Sequence, residues 1–271
     1  MEENLKKHNT KIAVSLIGNA EINRIIKELD ATTKKAFDPY IIAYIDFLGM
    51  KDRMENKSSY RYLVYLQALI KGIMTKSAFI QRINHINDFE IKIFSDNIVI
   101  ALKKNDEMLC DQIISLINLI SLIQFEAFFT FEFPLRGGIT IGELSIDDSV
   151  VWGSGLIDAY KIENSLANYP RVIVSQEVID TYNQCKDKSI NIFAMIKQDA
   201  DGCWFVDYLS AAPNITLIPR ISARLSQIAN MVIKKDERIK QKTNWIISYF
   251  NSYCHQMADR GDYEQYRLPY I

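Results

Sequence analysis

The chain has 271 residues, 48% of them hydrophobic, and 32 basic against 33 acidic side chains give a formal charge of −1. This length and apolar content favour one large core with added helices, and the balanced charge lacks the basic footprint of a duplex-binding domain. Cys110, Cys185, Cys203 and Cys254 show no CxxC or zinc-ribbon spacing, and they read as free buried thiols in a reducing cytoplasm.

In chain order, the N-terminal MEENLKKHNTK has no apolar stretch of the kind that marks a secretory signal. Ile22, Ile25, Ile26 and Leu29 recur at helical spacing and predict an amphipathic helix over 20–36 that packs one face. Pro39 ends that pattern. Tyr40 to Ile45 is then a continuous apolar, β-branched run, as in a strand buried on both faces, and it ends on Asp46. Gly49 permits a tight turn, and Tyr60 to Met74 predicts a helix with Leu63, Leu66, Leu69 and Ile70 inward.

Phe89 to Leu102 reads as a hairpin, FEIKIFS and IVIAL separated by the turn pair Asp96-Asn97, with Asp96 at its tip. A helix over Asp106 to Phe128 follows, opened by Asp106 and Glu107 near its positive end. Its apolar window, Ile113 to Phe129, is interrupted by Ser115, Asn118, Ser121, Gln124 and Glu126, and reads as a core helix and not as a membrane span. Leu135 to Leu144 is the next strand, where Gly137, Gly138 and Gly142 mark close backbone approach. The order is the ferredoxin-like βαββαβ pattern, an α+β fold.

Beyond it the sequence predicts a helix from Leu156 to Ala167, a strand at Arg171 to Val174, and a short helix Gln176 to Tyr182 capped by Ser175. Strands at Ile190 to Met195 and Trp204 to Leu209 follow, joined through Asp199-Ala200-Asp201-Gly202, and then helix from Arg224 to Gln256 with a joint in the charged run Lys234 to Lys242. The domain reading is a single domain, 1–271, made of a helical extension (1–38), a catalytic core (39–212) and a helical tail (213–271).

Asp46 and Asp96 stand at the ends of strand patterns, and two carboxylates so placed can hold divalent cations, because Mg²⁺ takes a few hard oxygens and keeps positions for water and phosphates. An aspartate at a hairpin tip is also a common turn former, so the pair alone leaves both readings open. The three histidines fall in no hydrolase or zinc-protease spacing, and no Rossmann or P-loop glycine pattern occurs.

The surrounding residues resemble the catalytic domain of class III nucleotide cyclases. Tyr44-Ile45-Asp46-Phe47-Leu48-Gly49-Met50 is similar to the family's first-strand motif, and Lys92-Ile93-Phe94-Ser95-Asp96 to its second, in which a base-contacting position precedes the hairpin aspartate by four residues. Arg136-Gly137-Gly138-Ile139-Thr140-Ile141-Gly142 matches the R-x-G-I-x-x-G strand, and Val151-Trp152-Gly153 through Glu163 aligns with the segment leading into the dimer-spanning helix. The resemblance implies a ferredoxin-like βαββαβ cyclase core with extra N-terminal and C-terminal helices. It also implies two Mg²⁺ or Mn²⁺ ions per site on Asp46 and Asp96, and backbone amides of Phe47, Leu48 and Gly49 near the triphosphate.

Several positions depart from the purine enzymes. The helix Asn and Arg of that group are Ile157 and Lys161 here, and the second base-contacting position is the apolar Val150. Where many cyclases carry a phosphate-binding Lys the chain has Asp199-Ala200-Asp201-Gly202, with Lys197 the closest cation. Phe47-Leu48-Gly49, Phe94-Ser95-Asp96-Asn97, Ala159-Tyr160-Lys161-Ile162-Glu163 and Tyr169-Pro170-Arg171 resemble the pyrimidine branch, the cytidylate and uridylate cyclases of Pycsar anti-phage systems.

That resemblance implies a head-to-tail homodimer converting CTP or UTP to the 3′,5′-cyclic nucleotide, whose product acts on a separate effector. Arg136 and Lys161 would be the catalytic cations, with Lys92 and Val150 beside the base. A purine cyclase with an altered pocket and a silent nucleotide-binding module are the alternatives, the first because Lys92 occupies a base-reading position and the second because Ile157 cannot replace Asn.

Overall fold

The computed structural model describes residues 21–28, 37–50, 59–86, 88–185, 191–210, 217–258, 261 and 263–271. The chain divides after Asp38 into two units. In the first, residues 21–28 are helical, as expected, and carry Ile22, Ile25 and Ile26. The rest of the helix expected over 20–36 lies outside the described residues.

The second unit runs β1 (Asp38–Phe47), α1 (Ser59–Asn84), β2 (Glu90–Phe94), β3 (Asn97–Lys103), α2 (Leu109–Phe129), β4 (Leu135–Ile146), β5 (Val151–Trp152), α3 (Ser154–Leu166), β6 (Val172–Val174), α4 (Gln176–Gln184), β7 (Ile196–Gln198), β8 (Trp204–Val206), α5 (Ile218–Val232) and α6 (Glu237–Gln256). The first six elements are the expected βαββαβ, with β1 between β3 and β4 and β2 at the sheet edge. The sheet continues through β6 and β8 to β7, and β5 pairs with β4 alone.

Strand β1 is buried on both faces, which explains its unbroken apolar run. Ile41, Ala43 and Ile45 join Leu69 and Ile73 of α1 and Ile113 and Ile117 of α2 in the main core. Tyr40 and Ile42 pack with Val99, Ala101, Leu144 and Ala159 on the other face, under α3. There Gly138 and Gly142 fulfil the close approach expected of them: a Cβ on Gly138 would stand 2.6 Å from the Ala159 carbonyl, and one on Gly142 2.5 Å from Gly155 Cα.

Several boundaries differ from expectation. Helix α1 continues to Asn84 because Ile73 and Ile80 extend its buried stripe, while Leu63 is exposed. The hairpin turn is Ser95-Asp96, and Asn97 already belongs to β3, since it pairs across the ladder with Phe94 and Asp46. Helix α2 starts at Leu109, leaving Asp106 and Glu107 in the preceding turn. Gln112 fixes that turn by donating to the Lys103 carbonyl at 2.8 Å and accepting from the Asn105 N–H at 2.9 Å. The strand expected over Ile190 to Met195 is instead a 3₁₀ turn, Ile192–Ala194, capped by Asn191, and β7 begins at Ile196 in register with Val206. Ser175 caps α4 as expected, accepting from the Val178 N–H.

Cys110 and Cys185 are joined in a disulfide with Cα atoms 6.2 Å apart, so the expectation of four free thiols holds only for Cys203 and Cys254. The first turn of α2 meets the C-terminal end of α4, a contact that a separation of 75 residues does not reveal. Two helices, Tyr60–Asn84 and Leu109–Phe129, have the length and apolar character of a membrane span, and the second is largely buried, as expected of a core helix.

Helices α5 and α6 break at 233–236, within the expected joint, and pack on a second core. Tyr249 and Phe250 of α6 meet Phe205, Tyr208 and Ile173 there. Arg171, fully buried, pins this tail. It pairs with Asp199 and Asp201 and lies over the rings of Tyr169 and Trp245, while Trp245 Nε1 donates to Asp199 Oδ2 at 2.7 Å.

Candidate active site

The antiparallel register of β1 and β3 places Asp46 opposite Asn97, beside the hairpin tip that carries Asp96. The Phe47 N–H donates to the Asp96 carbonyl at 3.1 Å and locks the two strand ends together. Tyr44 donates from its hydroxyl to Asn97 Oδ1 at 2.7 Å, and Asn97 Nδ2 donates to Asp96 Oδ1 at 3.3 Å. Both sequence-predicted carboxylates thus share one end of the sheet.

Because strand side chains alternate, Asp46 and Arg136 both fall on the face covered by α3. Arg136 Nε donates to Asp46 Oδ2 at 2.8 Å, and its Nη2 lies 2.8 Å from Glu163 Oε1 on α3. The second contact is an ion pair without hydrogen-bond alignment, since Glu163 Oε1 has no geometrically sound donor. Burial pushes the Glu163 carboxyl above its ordinary range, the Arg136 charge opposes that shift, and the Asp46 carboxylate adds to it. The Tyr44 hydroxyl is pushed up to about 12, first by burial and then by the carboxylates of Glu163 and Asp46. Negative charge is therefore concentrated at this end of the sheet.

The other predicted residues are distributed around this cluster. Phe47 is buried, with its ring edge-on to Phe133 at 5.5 Å. The Leu48 N–H donates to the Pro134 carbonyl at 2.9 Å, so the amides of Phe47 and Leu48 are both taken by carbonyls and do not face an anion as expected. Gly49 turns the chain at φ 77°, a left-handed conformation that glycine adopts without strain. Lys92 meets Asp148 at 3.3 Å, and the Val150 N–H donates to Asp147 Oδ1 at 2.8 Å, which brings both predicted base-contacting positions to the β4–β5 turn. Lys161 is exposed and paired with Asp158 of its own helix at 2.9 Å. Lys197 faces inward, 3.2 Å from Asp207 and over the ring of Tyr249.

Three further residues belong to the site. Glu163 continues the buried stripe of Gly155 and Ala159 at helical spacing, and a carboxylate closing a small-residue stripe was the readable signal. Arg238 and Lys242 lie four residues apart in the charged run that reads as a joint. With Arg136, Asn168, Tyr169 and Gln241 they line a pocket of about 230 Å³. Burial lowers the Lys242 ammonium, and the charges of Arg238 and Arg136 lower it further.

Two neighbouring carboxylates suit Mg²⁺ or Mn²⁺, which draw their remaining ligands from water and substrate phosphates. Among the described residues no group of three or more His, Cys, Asp or Glu stands ready to hold a metal. Asp46 and Asp96 both offer carboxylate oxygens, the donor type that suits a hydrated hard cation.

No protein-family model matches the chain, and no curated protein matches it. Among solved structures it is similar to the monomeric guanylyl cyclase domain of the RhoGC fusion protein from the aquatic fungus Blastocladiella emersonii, at 10% identity and a TM-score of 0.46 over 63% of this chain and 95% of that one. It is also similar to the adenylyl cyclase CyaB from P. aeruginosa, at 11% identity and a TM-score of 0.41 over 63% and 94%. A bacterial light-regulated adenylyl cyclase is similar at 17% identity and a TM-score of 0.39 over 64% and 91%.

Proposed function

We propose that the chain is a nucleotide cyclase of the class III type that converts CTP or UTP to the 3′,5′-cyclic nucleotide and pyrophosphate, supplying a second messenger to a separate effector in anti-phage defence. The observation that carries this reading is the meeting of Asp46 and Asp96 at adjacent strand ends with Arg136 bonded to the first of them. Asp46 and Asp96 would hold two Mg²⁺ or Mn²⁺ ions. When bound, these ions make the ribose 3′-hydroxyl a better nucleophile and neutralise the departing pyrophosphate.

The reaction forms one bond, from the 3′-oxygen to the α-phosphorus, and breaks the bond from that phosphorus to the bridging oxygen of the β-phosphate. The hydroxyl proton goes to solvent. Arg136 stands beside Asp46, where charge develops on the phosphate oxygens, and its guanidinium is held in place by Glu163. Lys92 of β2, paired with Asp148 of the β4–β5 turn, and Val150 in that turn would border the base, and an apolar Val150 favours a small pyrimidine pocket over one that reads a purine edge.

Lys161 is exposed and pairs with Asp158 of its own helix, and Trp152, Ile157 and Tyr160 are exposed as well. A head-to-tail homodimer would set this face against the Asp46 end of a second copy, so that each Lys161 serves the other chain's phosphate. The test is one incubation of purified protein with each of the four NTPs and Mn²⁺, with products separated by chromatography. Cyclic CMP or cyclic UMP is expected; cyclic purine product alone, or none at several protein concentrations, sinks the reading.

A further inference from the structure

The tail helix α6 is not an ornament on the core. Its first two turns carry Arg238 and Lys242 on one face to the pocket that Arg136 also lines. Three of the six lining side chains are cations, and the other three, Asn168, Tyr169 and Gln241, are polar and uncharged. Arg136 is already paired with Asp46 and Glu163, so the surplus positive charge of the pocket lies on Arg238 and Lys242, and an anion placed between those two relieves their repulsion. The volume, about 230 Å³, is below the roughly 300–1,000 Å³ of whole-ligand sites and suits part of a ligand.

The position of the pocket narrows the ligand. Arg136 reaches Asp46 with its Nε, so the pocket lies one guanidinium away from the carboxylate pair. Helix α6 is fixed there by the buried Arg171 cluster through Trp245, and by Tyr249, whose hydroxyl accepts from the Leu209 N–H at 2.9 Å and donates to Asp207. Lys197, the cation closest in sequence to the β7–β8 turn, is already committed to Asp207. The turn itself presents Asp199 and Asp201 to Arg171.

We infer that Arg238 and Lys242, together with Arg136, form a polyphosphate subsite that takes the β- and γ-phosphates of the substrate, supplied by the tail helix and not by the sheet. The assignment to substrate phosphates rests on the cyclase reading; the affinity for a polyphosphate anion does not. Arg238 can grip two phosphate oxygens at once, and Lys242 acts as a point charge deeper in the pocket.

Titration calorimetry of the full chain with inorganic tripolyphosphate tests this without any nucleotide. Wild type should bind, and R238A/K242A should bind roughly 100-fold more weakly, about tenfold for each charge-assisted hydrogen bond removed. R238Q/K242Q, which keeps the side-chain bulk, should behave alike, and K71A on the distant α1 surface should not change binding. Circular dichroism checks that the variants fold. Wild-type affinity in both double variants, or no binding by wild type, overturns the subsite. In NTP turnover the double variants should raise KM by a similar factor, and an unchanged KM in a working cyclase removes the subsite while leaving the cyclase. A chain that makes no cyclic nucleotide but binds tripolyphosphate through these two residues removes the cyclase and leaves the subsite.

Discussion

Arg136 Nε stands 2.8 Å from Asp46 Oδ2, and the same guanidinium faces Glu163, whose side chain is 3% exposed, at 2.8 Å. One arginine thus answers two carboxylates, one a candidate metal ligand and one nearly buried. Removing it leaves Glu163 in a low-dielectric site with only the unpaired charge of Lys242 to oppose its burial. Arg136→Ala should therefore lower unfolding free energy by about 3 kcal/mol, read from urea melts, besides its effect on turnover. Loss of turnover with unchanged stability would show that Arg136 has no structural share.

The Arg171 cluster predicts an acid limb in stability. The hydrogen bond from Arg171 is the largest cause holding the Asp201 carboxyl below its ordinary value of 3.8. A carboxyl depressed on folding contributes stability above the unfolded value, and that contribution is lost as pH falls through the lower folded value. Between pH 6 and pH 3 the urea midpoint of wild type should fall more steeply than that of Asp201→Asn. Parallel curves would mean that Arg171 does not hold Asp201 in solution.

Complementation tests the proposed dimer. If Asp46 serves one half-site and Lys161 comes from the other chain, Asp46→Asn and Lys161→Ala are each inactive alone. Co-refolded heterodimers carry one intact site, and a statistical mixture should recover about a quarter of wild-type turnover, as two-site symmetry dictates. No recovery, with heterodimers demonstrated by native mass spectrometry, would place both residues in one chain's site.

Local rules made part of this molecule readable. The buried β1 run, the hairpin carrying Asp96, the Ser175 cap and the close approach at Gly138 and Gly142 depend on neighbours a few residues away or on steric limits of one residue. The Asp46 and Asp96 pair was legible because both end strand patterns. Arg238 and Lys242 depend on how α6 settles on the sheet, and nothing in the periodicity of a helix says which distant strand it will meet. The Cys110–Cys185 link failed to appear for the same reason. The Phe47 and Leu48 amides were assigned to a ligand from the resemblance to cyclases, and their carbonyl partners, on Asp96 and Pro134, lie 49 and 86 residues away, out of reach of local rules.

The carboxylate pair is tested most directly by turnover of wild type, Asp46→Asn and Asp96→Asn side by side with CTP and UTP in Mn²⁺. Each substitution keeps the side-chain shape and removes one charge, so Arg136 and Asn97 keep an acceptor. Wild type should form a cyclic pyrimidine nucleotide and pyrophosphate, and each variant should lose at least about 1,000-fold in rate, the scale expected when charge stabilisation of a phosphoryl transition state is removed, with circular dichroism unchanged. Cyclic nucleotide formation at wild-type rate in either variant would contradict the account.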